Sequence, residues 1–126
     1  MMSTTNFSES SPRILLSSDN HRLVLPLRNS LLRAGFNVDL ASDYYHLELL
    51  WQQLRHDVVL LEVSHPDSVE LATESALRIK RQDAQQFIAY IADVNLQASG
   101  LIGDAIFSRD AYSLPQSLRE ALSEQS

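Results

Sequence analysis

The sequence predicts a single α/β domain, a doubly wound parallel sheet of five strands in the order 2-1-3-4-5 with helices on both faces. Short apolar runs alternate along the chain with amphipathic segments of helical period, which is the (βα)5 pattern. Right-handed crossovers place each helix on one face of the sheet or the other, so this alternation implies a parallel sheet covered on both sides. With 126 residues, 44% of them apolar, the chain has material for one core.

The first strand and first helix occupy the segment before Gly35. Residues 14–16 are an apolar run between a polar tail and a polar loop, which indicates a buried strand. Three leucines at helical spacing follow, and Gly35 stands where a left-handed helix stop is needed; the leucines are Leu23, Leu27 and Leu31. Pro26 lies inside this helix, so we expect it to start late or to be kinked.

The middle of the chain repeats the pattern. Residues 36–40 predict the second strand and residues 58–61 the third, with a helix between them capped by Ser42 or Asp43. The apolar positions of that helix are Leu47, Leu50, Trp51 and Leu54. A helix start at Asp67 then predicts the third helix, which continues to Lys80 and Arg81.

The last part of the chain supplies two more units. Residues 87–91 predict the fourth strand, 93–101 a short fourth helix and 105–107 the fifth strand. Ser113 begins a fifth helix that reaches Leu122. The folded domain is therefore expected over residues 13–123, after a disordered tail at residues 1–12.

Composition excludes several classes of function. The formal net charge is −6 without any basic run, so direct binding of nucleic acid is not expected. The chain has no cysteine, no secretion signal and no apolar run near ~18 residues, so we expect a cytoplasmic protein that does not enter membranes. No glycine follows the first strand to admit a pyrophosphate, and no nucleophile elbow is present, so we expect no enzyme activity.

Ligands of such sheets bind beyond the carboxyl ends of the strands, where Ser18, Asp19, Glu62, Ile91 and Arg109 are expected. Asp19 suits either a helix cap or a ligand, and Ser18 a turn or cap. Arg109 is either a partner of Glu62 or a solvated loop cation. The four histidines lack metal-ligand spacing, so no metal is assigned and each is expected on the surface; they are His21, His46, His56 and His65.

Two of these segments resemble the receiver domain of bacterial response regulators. Residues 56–66, His-Asp-Val-Val-Leu-Leu-Glu-Val-Ser-His-Pro, look like its third strand, which ends in an aspartate phosphoacceptor followed by proline. Glu62 holds the acceptor position. Residues 13–20 resemble its first strand, where two acidic residues hold a divalent cation, and here the pair is Ser18 and Asp19.

The resemblance extends over about residues 13 to 122, with further departures. Ile91 stands where receivers place a Thr or Ser that donates to the phosphoryl group, and isoleucine cannot donate. Ile106 replaces a switch aromatic, with Phe107 expected in the core, and Arg109 replaces a lysine. Phosphoryl transfer needs an in-line acceptor, a well-held Mg²⁺ and donors for the equatorial oxygens, so these changes act together.

The resemblance therefore implies a degenerate pseudo-receiver, a phosphorylation-independent signalling and protein-interaction domain of the two-component phosphorelay type. No cofactor is expected, and Mg²⁺ is at most a weak ligand of Asp19 and Glu62. Glu62 reaches one methylene further than Asp and can pair with Arg109. A protein partner or a homodimer is expected at the fourth helix, fifth strand and fifth helix, as in receivers.

Two alternatives stay open. One is a divergent but active phosphoacceptor fed by a histidine kinase, with Asp19 and Glu62 on the metal and Asp67 as acceptor. The other is a flavodoxin-like domain that binds a small molecule at its strand ends without phosphate chemistry. Shared strand patterns support transfer of a fold better than transfer of a function.

Overall fold

A computed structural model describes residues 11–93, 96, 100–108 and 114–125. Residues 1–10, most of the predicted tail, lie outside the described residues. So do Arg109 and Ser113, together with five residues of the predicted fourth helix, namely Val94, Asn95, Gln97, Ala98 and Ser99.

The described elements follow the predicted order. They are β1 (Arg13–Ser18), α1 (His21–Arg33), β2 (Asn37–Leu40), α2 (Tyr44–Gln53), β3 (Val58–Val63), a 3₁₀ turn (Pro66–Ser68), α3 (Val69–Gln82), β4 (Phe87–Ala92), β5 (Ala105–Phe107) and α4 (Leu114–Gln125). The four α-helices of the described residues are one fewer than predicted, and the segment expected to form the other helix, residues 93–101, lies largely outside them. None of these helices combines the length and the apolar character that crossing a bilayer requires.

All five strands pair in parallel in one sheet of order β2-β1-β3-β4-β5, which confirms the predicted topology. The three central strands are almost fully buried because helices cover both faces. Side chains alternate between faces along a strand, so Leu60 enters one core while Leu61 enters the other. One core lies under α1 and α4 and the other under α2 and α3, and Phe107 packs at the edge of the former.

Helix α1 begins at His21, so a late start is wrong, and the alternative of a kink at Pro26 stays a prediction. Asn20 caps the helix, its side chain accepting from the backbone N–H of Arg22. Pro26 lies one turn in, and the carbonyl that its missing N–H would have bonded belongs to the exposed Arg22, where water can replace it. The Asn20 cap, whose backbone is extended, therefore starts the helix at His21 in spite of Pro26.

The end of α1 is held by the last helix. Gly35 has a φ of +98°, the left-handed stop that the sequence predicts. A guanidinium nitrogen of Arg119 donates to the carbonyl of Ala34, and the guanidinium carbon lies 4.7 Å from the ring centroid of Phe36. This single side chain thus satisfies a terminal carbonyl of α1 and ties α4 to it.

Close packing fixes the loop that leads into β5. The hydroxyl of Tyr90 donates to the carbonyl of Ile102 at 2.7 Å. A Cβ on Gly103 would lie 2.6 Å from Cε2 of the Tyr90 ring, so only glycine fits there without a shift. Burial raises the pKa of Tyr90 to about 12. Its hydroxyl therefore stays a donor at neutral pH.

His56 is buried, so the prediction that all four histidines lie on the surface is wrong for this one. Its Nε2 lies 2.9 Å from Oδ2 of Asp39 on β2, while its buried Nδ1 has no hydrogen-bond partner among the described residues. Burial lowers the pKa of His56 despite the adjacent Asp39, which together with Asp57 favours the charged form, whereas Arg13 opposes it. The sequence pattern gives no sign of this contact, because Asp39 and His56 come together only when β2 and β3 assemble on either side of β1.

Stability should fall on mild acidification because of His56. His56 takes up a proton near pH 6.5 in the unfolded chain, but only at a lower pH in the folded protein. The contribution of His56 to the free energy of unfolding is therefore complete above about pH 6.5 and is lost below it. We expect a loss of up to about 1.4 kcal/mol at pH 5.5. Urea unfolding at about pH 7.5 and pH 5.5 should show it in the wild type and not in His56→Gln, and equal pH dependence of the two would contradict the assignment.

Candidate functional site

Three of the predicted site residues are neighbours across the sheet. Ser18 on β1 pairs in register with Glu62 on β3, and Glu62 pairs with Ile91 on β4. Parallel strands end at the same edge, so the three side chains meet at the carboxyl edge of the sheet. The structure therefore brings together the positions that the sequence singled out on separate strands.

The Glu62 carboxylate is buried, with only 2% of the residue exposed. The Ser18 hydroxyl donates to Glu62 Oε1 at 2.7 Å. Ser18 also accepts from the backbone N–H of Asn20 at 2.9 Å, as expected for a turn residue. Ser18 is thus the predicted turn residue, and in addition its hydroxyl donates a hydrogen bond to the Glu62 carboxylate.

Asp19 is not the cap of α1, and its other predicted role, as a ligand, stays a prediction. Asn20 caps α1, and the Asp19 carboxylate accepts from the backbone N–H groups of Ser64 and His65 at 2.9 to 3.0 Å. Both carboxylate oxygens take part in these bonds. Asp19 therefore ties the loop after β1 to the loop after β3.

Tyr44, which the sequence analysis did not select, supports the same edge. Its buried hydroxyl donates to the backbone carbonyl of Glu62 at 2.5 Å, and the backbone N–H of Asp19 points to that carbonyl at 3.4 Å. Burial, followed by the negative charges of Asp19 and Glu62, raises the pKa of Tyr44 far above its usual value. A tyrosine opening an amphipathic helix gives no local signal of this role.

The other predicted positions are dispersed. Ile91 is buried beside Glu62, on the face of the sheet that α1 and α4 cover. Ile106 lies on β5, at the sheet edge, and is exposed. Asp67 lies in the exposed 3₁₀ turn. Because Arg109 is outside the described residues, its pairing with Glu62 stays a prediction.

The described residues do not fit a Mg²⁺ site of the receiver kind. Mg²⁺ requires near-octahedral oxygen ligation with carboxylates at short range. Here one position of the acidic pair is Ser18, and both oxygens of Asp19 accept backbone N–H groups. No group of three or more acidic, histidine or cysteine side chains in the described part of the chain is arranged to hold a metal ion.

A cleft of about 170 Å³ opens next to Glu62 on the α1 side of the sheet. It is mainly apolar, with the Ser30 hydroxyl and the Glu62 carboxylate as its polar groups; the other lining residues are Leu23, Pro26, Leu27, Ile91 and Leu114. The end of β3 therefore faces a small, half-enclosed space between α1 and the start of α4.

Comparison with known proteins supports the architecture. No protein-family model matches the sequence, and no curated protein is similar to it. Solved receiver structures match over nearly their whole length. The response regulator TrrA of Thermotoga maritima, solved with Mg²⁺ and beryllofluoride, superposes with a TM-score of 0.73 and 19% identity, covering 91% of this chain and 99% of TrrA.

A response regulator receiver protein of Sinorhizobium medicae has a TM-score of 0.66 and 22% identity, with 94% of this chain and 99% of that one covered. An orphan response regulator of H. pylori has a TM-score of 0.62 and 18% identity, covering 92% and 98% of the two chains. The chain has the receiver fold. At these identities the comparison establishes the fold alone, and the chemistry must be argued from the residues.

Removing the Ser18 hydroxyl should destabilise the protein. Ser18→Ala would deprive a buried carboxylate of a short hydrogen bond, which commonly costs about 2 kcal/mol. Ser17→Ala is the matched control, because the adjacent buried Ser17 donates to the neutral carbonyl of Ala41 at 3.5 Å and should lose less than about 1 kcal/mol. Chemical unfolding of both variants measures the loss in the free energy of unfolding. Equal losses would show that the Ser18 hydrogen bond to Glu62 stabilises the protein no more than the Ser17 hydrogen bond does.

Proposed function

We propose that this chain is a pseudo-receiver, a phosphorylation-independent signalling and protein-interaction domain of the two-component phosphorelay type. It acts in the cytoplasm, without enzymatic activity and without a cofactor. In this proposal the predicted fourth helix completes the (βα)5 fold. The observation that carries the proposal is the state of Glu62 at the end of β3.

An acceptor carboxylate must be reachable in line by a phosphodonor. Glu62 is buried and already accepts a short hydrogen bond from Ser18, which is itself part of the strand-end turn. Attack on phosphorus would require that bond to break and the longer side chain to reorient within a packed edge. The carboxylate at this position is thus better suited to holding β1 against β3 than to accepting a phosphoryl group.

The groups around Glu62 support the same proposal. Ile91 offers a methyl and methylene surface where a hydroxyl would be needed to bind an equatorial phosphoryl oxygen. Asp19 is bound to the loop after β3 rather than turned toward a metal. We further propose that Arg109, at the lysine-equivalent position, pairs with Glu62 and maintains a permanent charge pair at this edge.

Partner contacts are proposed for the surface of the predicted fourth helix, β5 and α4. Ile102 and Ile106 are exposed at the β5 edge of the sheet, whereas α4 buries Leu114 and Leu118 in the core. The apolar anchors of this surface are therefore the two isoleucines, with the polar side of α4 beside them. A protein partner or a second copy would bind here, as receivers do.

Acetyl phosphate with Mg²⁺ should leave the protein unmodified. Loss of one preorganised electrostatic contact commonly costs ~10² to 10³ in rate, so several losses together should bring transfer below detection. Intact mass spectrometry measures the result, with a phosphorylatable receiver as the positive control. A gain of one phosphate mapped to Glu62, Asp19 or Asp67 would overturn the proposal in favour of the divergent phosphoacceptor fed by a histidine kinase.

Ile106→Lys should weaken association at the β5 surface by at least about ten-fold, because it places a charge at an apolar anchor. Glu62→Gln should also weaken it while the fold survives, if the fixed charge imitates a phosphorylated state. Sedimentation equilibrium of the homodimer, with circular dichroism as the fold check, measures both. Unchanged association of Glu62→Gln would mean that the carboxylate has no signalling role.

The cleft beside Glu62 favours a second candidate, the flavodoxin-like small-molecule binder. Its volume of about 170 Å³ resembles that of an engineered apolar cavity of about 150 Å³ that holds benzene. A small apolar ligand with one hydrogen-bond donor would suit it. Co-purification of such a compound, lost in Ser30→Leu, would favour this candidate.

A further inference from the structure

The outer side of α1 differs in charge from the rest of the chain. The helix contains Arg22, Arg28 and Arg33 and no acidic residue, although the net charge of the chain is −6. Leu25 and Leu32 lie two turns apart on its solvent side and are 47% and 45% exposed. No ion pair among the described residues involves Arg22 or Arg33. We call Arg22, Leu25, Leu32 and Arg33 the basic face.

On the other side of the sheet, α2 and α3 pack side by side. The Ser75 hydroxyl donates to the Tyr44 carbonyl at 3.2 Å, and Arg78 Nε lies 3.1 Å from Glu48 Oε1. Leu71 precedes Ser75 by one turn, on the same stripe of α3, and therefore lies at the border of the groove between the helices. It is 59% exposed.

Helix α2 contributes two more apolar side chains to that groove. Tyr45 precedes Glu48 by three residues, so it lies at the side of α2 that turns toward α3, and Leu49 lies one turn after Tyr45 on the same stripe. They are 77% and 52% exposed. Tyr45, Leu49 and Leu71 together give two adjoining helices an exposed apolar surface. Single exposed apolar residues scattered over a protein would not form such a surface.

Two carboxylates flank this second surface, while the cation in its groove, Arg78, is paired with Glu48. Glu70 and Glu74 are exposed on α3; Glu74 neighbours Leu71 three residues on, and Glu70 neighbours Glu74 four residues before it. Neither belongs to an ion pair among the residues described. We call Tyr45, Leu49, Glu70, Leu71 and Glu74 the acidic face.

The two faces complement each other in charge, and each has exposed apolar anchors. They lie on opposite sides of the sheet, because α1 packs on one core and α2 and α3 pack on the other. A face cannot meet its complement within one molecule. A second copy, however, can present its acidic face to the basic face of the first.

We propose that copies of this chain associate head to tail, with the basic face of one copy docked on the acidic face of the next. The contact is heterologous, so it leaves one face of each kind open in a pair and continues into a ring or an open chain. It differs from the homodimer proposed at β5 in its residues and in its symmetry. Complementary charges orient the pair, and the leucines and Tyr45 supply the apolar contact.

The test uses Ile106→Lys as a common background, so that its outcome does not depend on the β5 contact. One variant removes the basic anchors (Leu25→Ser with Leu32→Ser), and another removes the acidic-face anchors (Tyr45→Ser with Leu71→Ser). Leu54→Ser, at an exposed leucine outside both faces, is the matched control. All these changes are at exposed side chains, and the mass is followed by sedimentation equilibrium over rising concentration.

The background and the Leu54→Ser control should exceed the mass of a dimer as concentration rises. Each double variant alone should stay monomeric, because it lacks one of the two complementary faces. An equimolar mixture of the two should form a one-to-one dimer and stop there. A background that stays monomeric to millimolar concentration, or that saturates at a dimer, would overturn the proposal.

Charge reversal gives an independent readout. Arg22→Glu with Arg33→Glu should abolish association alone, as should Glu70→Lys with Glu74→Lys. Mixing these two proteins restores opposite charges at every contact, so association should return to within about ten-fold of the background. Failure to recover on mixing, with both proteins folded by circular dichroism, would show that the charges do not direct the contact.

Discussion

Burial of one carboxylate, that of Glu62, constrains the edge of the sheet where a receiver performs its chemistry. A buried carboxyl group is tolerated only when hydrogen bonds replace the water it loses. Ser18 supplies one such bond from the neighbouring strand at 2.7 Å. Ser18, at one of the two positions that resemble the acidic pair of a receiver, thus donates a hydrogen bond to Glu62, at the position that resembles the phosphoacceptor. Replacing either residue alone would leave the other buried without this hydrogen bond.

The contacts around this bond hold the backbone at the ends of β1 and β3. The Tyr44 hydroxyl and the Asp19 backbone N–H both donate to the backbone carbonyl of Glu62. The Asp19 carboxylate accepts hydrogen bonds from two backbone N–H groups in the loop after β3. The ends of β1 and β3 are therefore held by side chains from two loops and one helix. This arrangement is what supports the proposal of a domain that signals without phosphorylation.

The fold could be predicted from sequence because its determinants are local and periodic. Apolar runs predicted all five strands, and Asp43 and Gly35 marked helix boundaries where the structure has them. The candidate site was predicted only as a set of positions. Contacts such as those of Tyr44 with the Glu62 carbonyl, or of His56 with Asp39, depend on side chains from distant elements meeting, and no local pattern encodes them. The helix around Pro26 does not start late, because the Asn20 side chain caps it one turn before the proline.

The most direct test of this account is a crystal structure of the protein grown with Mg²⁺ and beryllofluoride. The account predicts that the Ser18 hydroxyl stays about 2.7 Å from the Glu62 carboxylate, that Asp19 keeps its bonds to Ser64 and His65, and that no beryllofluoride binds at the strand ends. Beryllofluoride bonded to Glu62, with Asp19 turned away from those amides onto a metal ion, would contradict it.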